Sequence, residues 1–159
     1  MSNEHPVFSD KLDASGLRIA IVVSRFNRQI TDRLLAGAQS ALEEHGADPG
    51  AIEVYSVPGA LEIGTVASAL VRHRRPDVLV CLGCVVRGGT AHFEYVCDNA
   101  MRLIARIAAR GDVGVGNGLL TVDTIVQAQE RAGGSHGDKG REAALTALEV
   151  ARTIQMIRA

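Results

Sequence analysis

Apolar runs of strand length alternate with amphipathic stretches of helix length along most of this chain. Residues 17–24, 51–57, 78–84 and 113–121 read as strands. Residues 31–45, 60–73, 91–110, 124–132 and 141–158 read as helices, the first with Leu34, Leu35, Ala38 and Leu42 on one face and Gly46 at its end. A helix between successive strands implies βαβ units, hence parallel strands joined by right-handed crossovers. The near-continuous apolar run 19–23 suits a strand covered on both faces. The expected architecture is α/β, a three-layer αβα sandwich around a central four-stranded parallel sheet. Residues 1–13 read as an arm, a candidate to pair with the sheet edge of a neighbouring subunit, and residues 14–159 as one domain. The glycine-rich segment 133–140 reads as a loop.

Composition removes several function classes. The chain has 159 residues and a net charge of −1, with 17 basic and 18 acidic residues, so no charge excess points to nucleic acid or an anionic membrane. Aromatic residues make up only 3%, which disfavours a base-stacking platform. The apolar run 78–86 is too short to span a bilayer. Residues 1–6 lack the apolar core of an export signal, so a cytoplasmic location with reduced thiols is expected. Cys81 and Cys84 form a C-x-x-C pair, but an odd offset in a strand sends two side chains to opposite faces. They are read as core residues, with neither metal nor redox cofactor, and Cys97 as a residue packed on a helix face.

Open parallel sheets bind ligands outside the carboxyl ends of their strands, and the unusual segments of this chain fall there. The first strand exits into Ser24-Arg25-Phe26-Asn27, and the second into Val57-Pro58-Gly59-Ala60-Leu61-Glu62. The third exits into Val85-Val86-Arg87-Gly88-Gly89-Thr90-Ala91-His92, and the fourth into Leu119-Leu120-Thr121-Val122-Asp123. Convergence of all four on one rim is expected. Gly88, Gly89 and Thr90 at a helix start suit an anion cradle, with Thr90 as cap and Arg87 nearby. His92 falls in the first helical turn, where neutral imidazole is favoured and a proton can be accepted. Phe26 is either a ring that stacks on a heteroaromatic ligand or a buried plug at the sheet's end. Asn27 is either a ligand contact or an ordinary turn residue. Glu62 is either a carboxylate for polyol hydroxyls or an acid answering the positive end of its helix. Arg131 and Lys139 flank the glycine-rich loop as candidates for a second anion contact.

Other phosphate motifs are missing. Ser24-Arg25-Phe26-Asn27-Arg28-Gln29 stands where a dinucleotide-binding G-x-G-x-x-G would follow the first strand. Gly114, Gly116 and Gly118 lie inside the fourth strand, not before a helix. No G-x-x-x-x-G-K-[ST] occurs, and no acidic pair follows the first strand.

The segments 24–27, 57–63, 82–97, 118–121, 127–133 and 138–140 occur together, in order and in register. Taken together they resemble the 6,7-dimethyl-8-ribityllumazine synthase family, from about residue 17 to the C-terminus. The resemblance implies a flavodoxin-like topology. It also implies a transferase that condenses 5-amino-6-(D-ribitylamino)uracil with 3,4-dihydroxy-2-butanone 4-phosphate, without metal or cofactor, in the penultimate step of riboflavin biosynthesis. Phosphate and water leave. Phe26 would stack on the pyrimidine, with Asn27 beside it. Ala60, Leu61 and Glu62 would hold the ribityl chain, and Cys84, Val85 and Val86 would meet the pyrimidine edge through backbone. Gly88, Gly89 and Thr90 would cradle the phosphate, and His92 would transfer protons. Arg131 would bind the phosphate and Lys139 the pyrimidine side, both from a neighbouring subunit. The implied assembly is a homopentamer with sites between subunits, a 60-subunit shell being a further arrangement and riboflavin synthase a candidate associate.

Two positions depart from the family pattern. Gly64 stands where many relatives carry Pro, a change expected to act on helix geometry. Asn117 stands where relatives often place the Phe that closes the pocket across the interface. These departures leave a second reading: a non-catalytic lumazine- or riboflavin-binding protein, or a shell-forming paralogue.

Overall fold

The computed structural model describes residues 4–159. Its main sheet contains β1 (Ile19–Ser24), β2 (Ile52–Val57), β3 (Val78–Val86) and β4 (Gly114–Val122). The strands lie in the order β2-β1-β3-β4 with every pair parallel. The chain runs outward from β1 to β2, then returns across β1 to β3. The strand order therefore reverses between β1 and β3, and α/β sheets open a crevice at such a reversal.

Alternation within each strand divides the core in two. Ile19, Ile21 and Val23 of β1 face one way, as do Val78, Val80 and Leu82 of β3. They pack against α1 (Arg28–Glu44) and α5 (Lys139–Arg158) through Leu34, Leu42, Leu145 and Leu148. Ala20, Val22, Leu79 and Cys81 face the other way, onto α2 (Ala60–His73) and α3 (His92–Ala109) through Ile63, Leu70, Ala100 and Ile104. Each fully buried Leu or Ile contributes about 1.5–3 kcal/mol. The three-layer sandwich follows from burial of both sheet faces. Cys81 and Cys84 belong to opposite cores, as their odd offset requires.

The alternate glycines of β4 have a packing role. A Cβ on Gly116 would stand 1.9 Å from the Ala143 carbonyl oxygen, and one on Gly114 would stand 2.2 Å from that of Ala147. The backbone of α5 thus rests directly on β4, with Ala143, Ala147 and Ala151 presenting only methyl groups. On the other side, a Cβ on Gly64 would lie 2.6 Å from Leu103 Cβ, so Gly64 lets α2 and α3 approach closely.

Several boundaries differ from the sequence expectation. Helix α1 starts at Arg28 because Asn27 adopts the left-handed conformation (φ 57°) and its carbonyl accepts from Ile30 and Thr31 N–H. Segment 133–140 is not a loop: β5 (Ala132–Gly134) and β6 (Gly137–Asp138) form a two-stranded antiparallel hairpin after α4 (Ile125–Arg131). The Asp138 side chain then accepts the Arg141 N–H at 3.1 Å, so α5 begins at Lys139. The described part of the arm lies over the chain's own α1–α5 side. Phe8 and Leu12 pack against that core, and His5 Nδ1 sits 2.5 Å from Glu142 Oε1. Residues 1–3 of the expected arm fall outside the described residues. No described helix is long and apolar enough to cross a membrane.

Candidate active site

At the carboxyl ends of β1, β2 and β3 lies an open pocket of about 360 Å³. Its walls come from Phe26, Asn27, Gly59, Ala60, Leu61, Glu62, Cys84, Val85, Val86, His92 and Val96. The exits of three strands therefore converge as expected. The fourth does not join them: Val122 and Asp123 do not line the pocket, and the Val122 carbonyl accepts the Arg87 N–H at 2.8 Å.

Phe26 follows β1 and is 70% exposed, so it is a presented ring and not a plug. Its position is set by backbone. Arg25 N–H donates to Val57 O at 2.9 Å and Phe26 N–H to Pro58 O at 3.3 Å. Gly59 allows the ring to approach, since a Cβ there would lie 3.2 Å from Phe26 Cδ2 and 3.3 Å from Glu62 Oε2. Glu62 answers the start of its helix and also borders the pocket. Its Oε2 accepts the Gly59 N–H at 3.1 Å, closing the first turn of α2, while the side chain lines the pocket.

Asn27 donates its side-chain amide to the Cys84 carbonyl at 2.9 Å. The bond ties the exit of β1 to the exit of β3 across the reversal point. Burial pushes the Cys84 thiol up to about 11 and the Cys81 thiol up to about 12, so both are neutral, and Cys84 presents main chain and an uncharged sulfur.

His92 is the first residue of α3, exposed and facing the pocket. Thr90 is not the cap of this helix. Ala91 occupies that position, and the Thr90 hydroxyl accepts the His92 N–H at a long 3.4 Å. Gly88 and Gly89 have no positive φ, and a Cβ on either would meet nothing within 4 Å. The fold itself does not demand glycine at these two positions. Arg87 does not point its charge at this turn; it binds Asp123 and Glu94.

Gly88, Gly89 and Thr90 do not line the pocket, and neither do Arg131, Lys139 and Asn117 of this chain. Arg131 ends α4 and donates to the Gln127 carbonyl at 3.0 Å. Lys139 opens α5 and is exposed. Asn117 sits midway along β4, opposite Cys81, and its amide donates to Met101 Sδ at 3.1 Å. Sequence reading missed Gly59 and Val96 as wall residues. Val96 lies four residues after His92, one helical turn on, so the spacing carried a signal.

A larger depression of about 490 Å³ lies near the opposite ends of the strands, lined by Arg18, Arg72, Arg75, Arg110 and Arg158 with Asp77 and Asp112. Three of these arginines close α2, α3 and α5, where cations answer the helix carbonyls. The convergent strand exits make the smaller pocket the candidate site.

Comparison with known proteins identifies the family. The 6,7-dimethyl-8-ribityllumazine synthase family matches residues 16–155. The chain belongs to this family. A relative from Anaeromyxobacter sp. (strain Fw109-5), named 6,7-dimethyl-8-ribityllumazine synthase, is 45% identical over 149 residues, covering 94% of this chain and 91% of that protein. The four-stranded parallel sheet flanked by helices is consistent with the fold of this family.

Proposed function

We propose that this chain condenses 5-amino-6-(D-ribitylamino)uracil with 3,4-dihydroxy-2-butanone 4-phosphate, releasing 6,7-dimethyl-8-ribityllumazine, phosphate and water. The chain is a transferase of riboflavin biosynthesis. The observation that carries the reading is the meeting of Phe26, Glu62 and His92 in one pocket. In this reading the exposed Phe26 face stacks on the pyrimidine. Glu62 receives ribityl hydroxyls, with Ala60 and Leu61 beside the chain, while Asn27 and the main chain of Cys84, Val85 and Val86 meet the pyrimidine edge. Gly88, Gly89 and Thr90 take the phosphate with their N–H groups and a hydroxyl. His92 moves protons during imine formation and phosphate elimination. Orientation of two bound reactants supplies much of the rate.

The remaining groups come from a second copy in this proposal. Arg131 and Lys139 stand outside the pocket of their own chain, so a neighbouring subunit's pair completes the phosphate and pyrimidine sides. A homopentamer with sites between subunits is the assembly proposed, and Asn117 then faces the site only across that interface. Extension to a 60-subunit shell, association with riboflavin synthase and action in the cytoplasm belong to the same proposal. Subunit exchange tests it. His92→Ala and Arg131→Ala homopolymers are each expected to be nearly inactive, and mixed assemblies to regain activity that neither parent has. Mixed assemblies no better than the parents would show that the two residues do not share a site across subunits.

A further inference from the structure

Arg87 occupies the first position after β3 and makes an unusual set of contacts. Its N–H continues the β3–β4 ladder, donating to Val122 O at 2.8 Å. Its Nε donates to Asp123 Oδ1 at 2.7 Å, and Nη1 donates to Glu94 Oε1. The guanidinium also lies 4.4 Å from the centre of the Phe93 ring. One planar fork thus holds two carboxylates from different elements and covers an aromatic face.

Each partner belongs to a segment that matters. Glu94 and Phe93 lie in the first turn of α3, directly after His92. Asp123 precedes Thr124, the cap of α4. The Asp123 N–H in turn donates to Gln127 Oε1 at 2.8 Å, fixing Asp123 to the helix that ends in Arg131. A continuous series of contacts therefore runs from the His92 turn, through Glu94, Arg87 and Asp123, to the helix bearing Arg131.

Stability alone does not explain this arrangement. The three charged side chains are 45%, 55% and 62% exposed, and pairs this open to solvent add little to stability. What the fork supplies is fixed direction. It also commits the Arg87 charge to Glu94 and Asp123, so Arg87 is not the group offered to an anion at the Gly88–Thr90 turn.

We propose that Arg87 is a positioning residue: it holds the His92 turn of one site in a set geometry relative to α4, which carries Arg131 towards the adjacent site. The proposal rests on the shared-site reading above. Arg87→Gln is expected to lower kcat at least about tenfold and raise KM for the phosphorylated butanone, since small misplacements of oriented groups carry large rate costs. KM for the ribitylaminouracil, held by the β1 and β2 exits and by β3 main chain that keeps its pairing to β4, is expected to stay near the wild-type value. Arg87→Lys keeps the charge but cannot hold both carboxylates in one fork, so it is expected to restore little. A lysine variant with wild-type kcat would show that charge alone matters and would overturn the proposal.

Amide hydrogen exchange on the assembled protein gives a readout independent of turnover. Arg87→Gln is expected to speed exchange at residues 88–93 and 123–127 together, with α2 unchanged. Unchanged exchange at both segments would overturn the positioning role. A wild-type protein that makes no lumazine, yet loosens at both segments on losing Arg87, would refute the assigned reaction and leave the clamp standing.

Discussion

The side-chain amide of Asn27 donates to the carbonyl oxygen of Cys84 across 2.9 Å, joining the ends of two adjacent parallel strands. Because Asn27 is also left-handed, its backbone and its side chain do separate jobs. Asn27→Gly keeps the conformation and loses the bond, at about 1 kcal/mol. Asn27→Ala also loses the bond but keeps a Cβ in the left-handed region without the local side-chain bonding that suits asparagine there, which places it about 1–2 kcal/mol below the glycine variant. Chemical denaturation of the two variants is expected to rank alanine as the less stable, and the reverse order would contradict this division.

Phe26 is expected to matter for binding and little for folding. At 70% exposure it contributes modestly to the core. A stacked base contributes about 1–3 kcal/mol. Phe26→Ala should therefore raise KM for the ribitylaminouracil by roughly tenfold or more with the melting temperature nearly unchanged, as steady-state kinetics and calorimetry would read. A large drop in melting temperature would mean the ring closes the sheet after all.

Two glycine substitutions should behave in opposite ways. Gly88→Ala places its methyl in open space at an ordinary φ, so the fold should tolerate it, while KM for the phosphorylated substrate rises. Gly116→Ala places its methyl 1.9 Å from the Ala143 carbonyl, forcing α5 off β4. Overpacking of this kind costs about 1–3 kcal/mol or more. Thermal unfolding should show a large loss for Gly116→Ala and nearly none for Gly88→Ala.

The Arg87 contact has a defined pH response. Its hydrogen bond holds the Glu94 carboxyl below the ordinary value of 4.5, while Asp123 and then Glu94 raise Arg87. A carboxyl depressed by folding adds stability above its unfolded value, which is lost as pH falls through the folded one. The contact should be intact at neutral pH and released only on acidification below 4.5. Carboxyl NMR of Glu94 should give a midpoint below 4.5, moving up towards that value in Arg87→Gln.

The alternation of strands and helices was legible because β1 and β3 are buried on both faces and so appear as unbroken apolar runs. The site at the carboxyl ends followed from that topology. The β5–β6 hairpin left no such trace, since two short strands of sequence Ala-Gly-Gly and Gly-Asp carry no apolar alternation. The Thr90 cap was misplaced by one residue because Ala91 takes the cap position without a side-chain bond. Phe26 and Glu62 each carried two readings that spacing alone does not separate. Exposure removes the plug reading of Phe26, and Glu62 bonds Gly59 and lines the pocket at once. Arg131, Lys139 and Asn117 owe their expected roles to a second chain, so no local pattern places them in a pocket.

Lumazine formation from the two purified substrates, followed by product fluorescence against the spontaneous background and repeated with His92→Ala, tests the central claim most directly. The predicted result is a rate well above background that falls by about 10²–10⁴ in the variant. A wild-type rate equal to background would contradict the assigned reaction, and an unchanged rate in the variant would remove His92 from it.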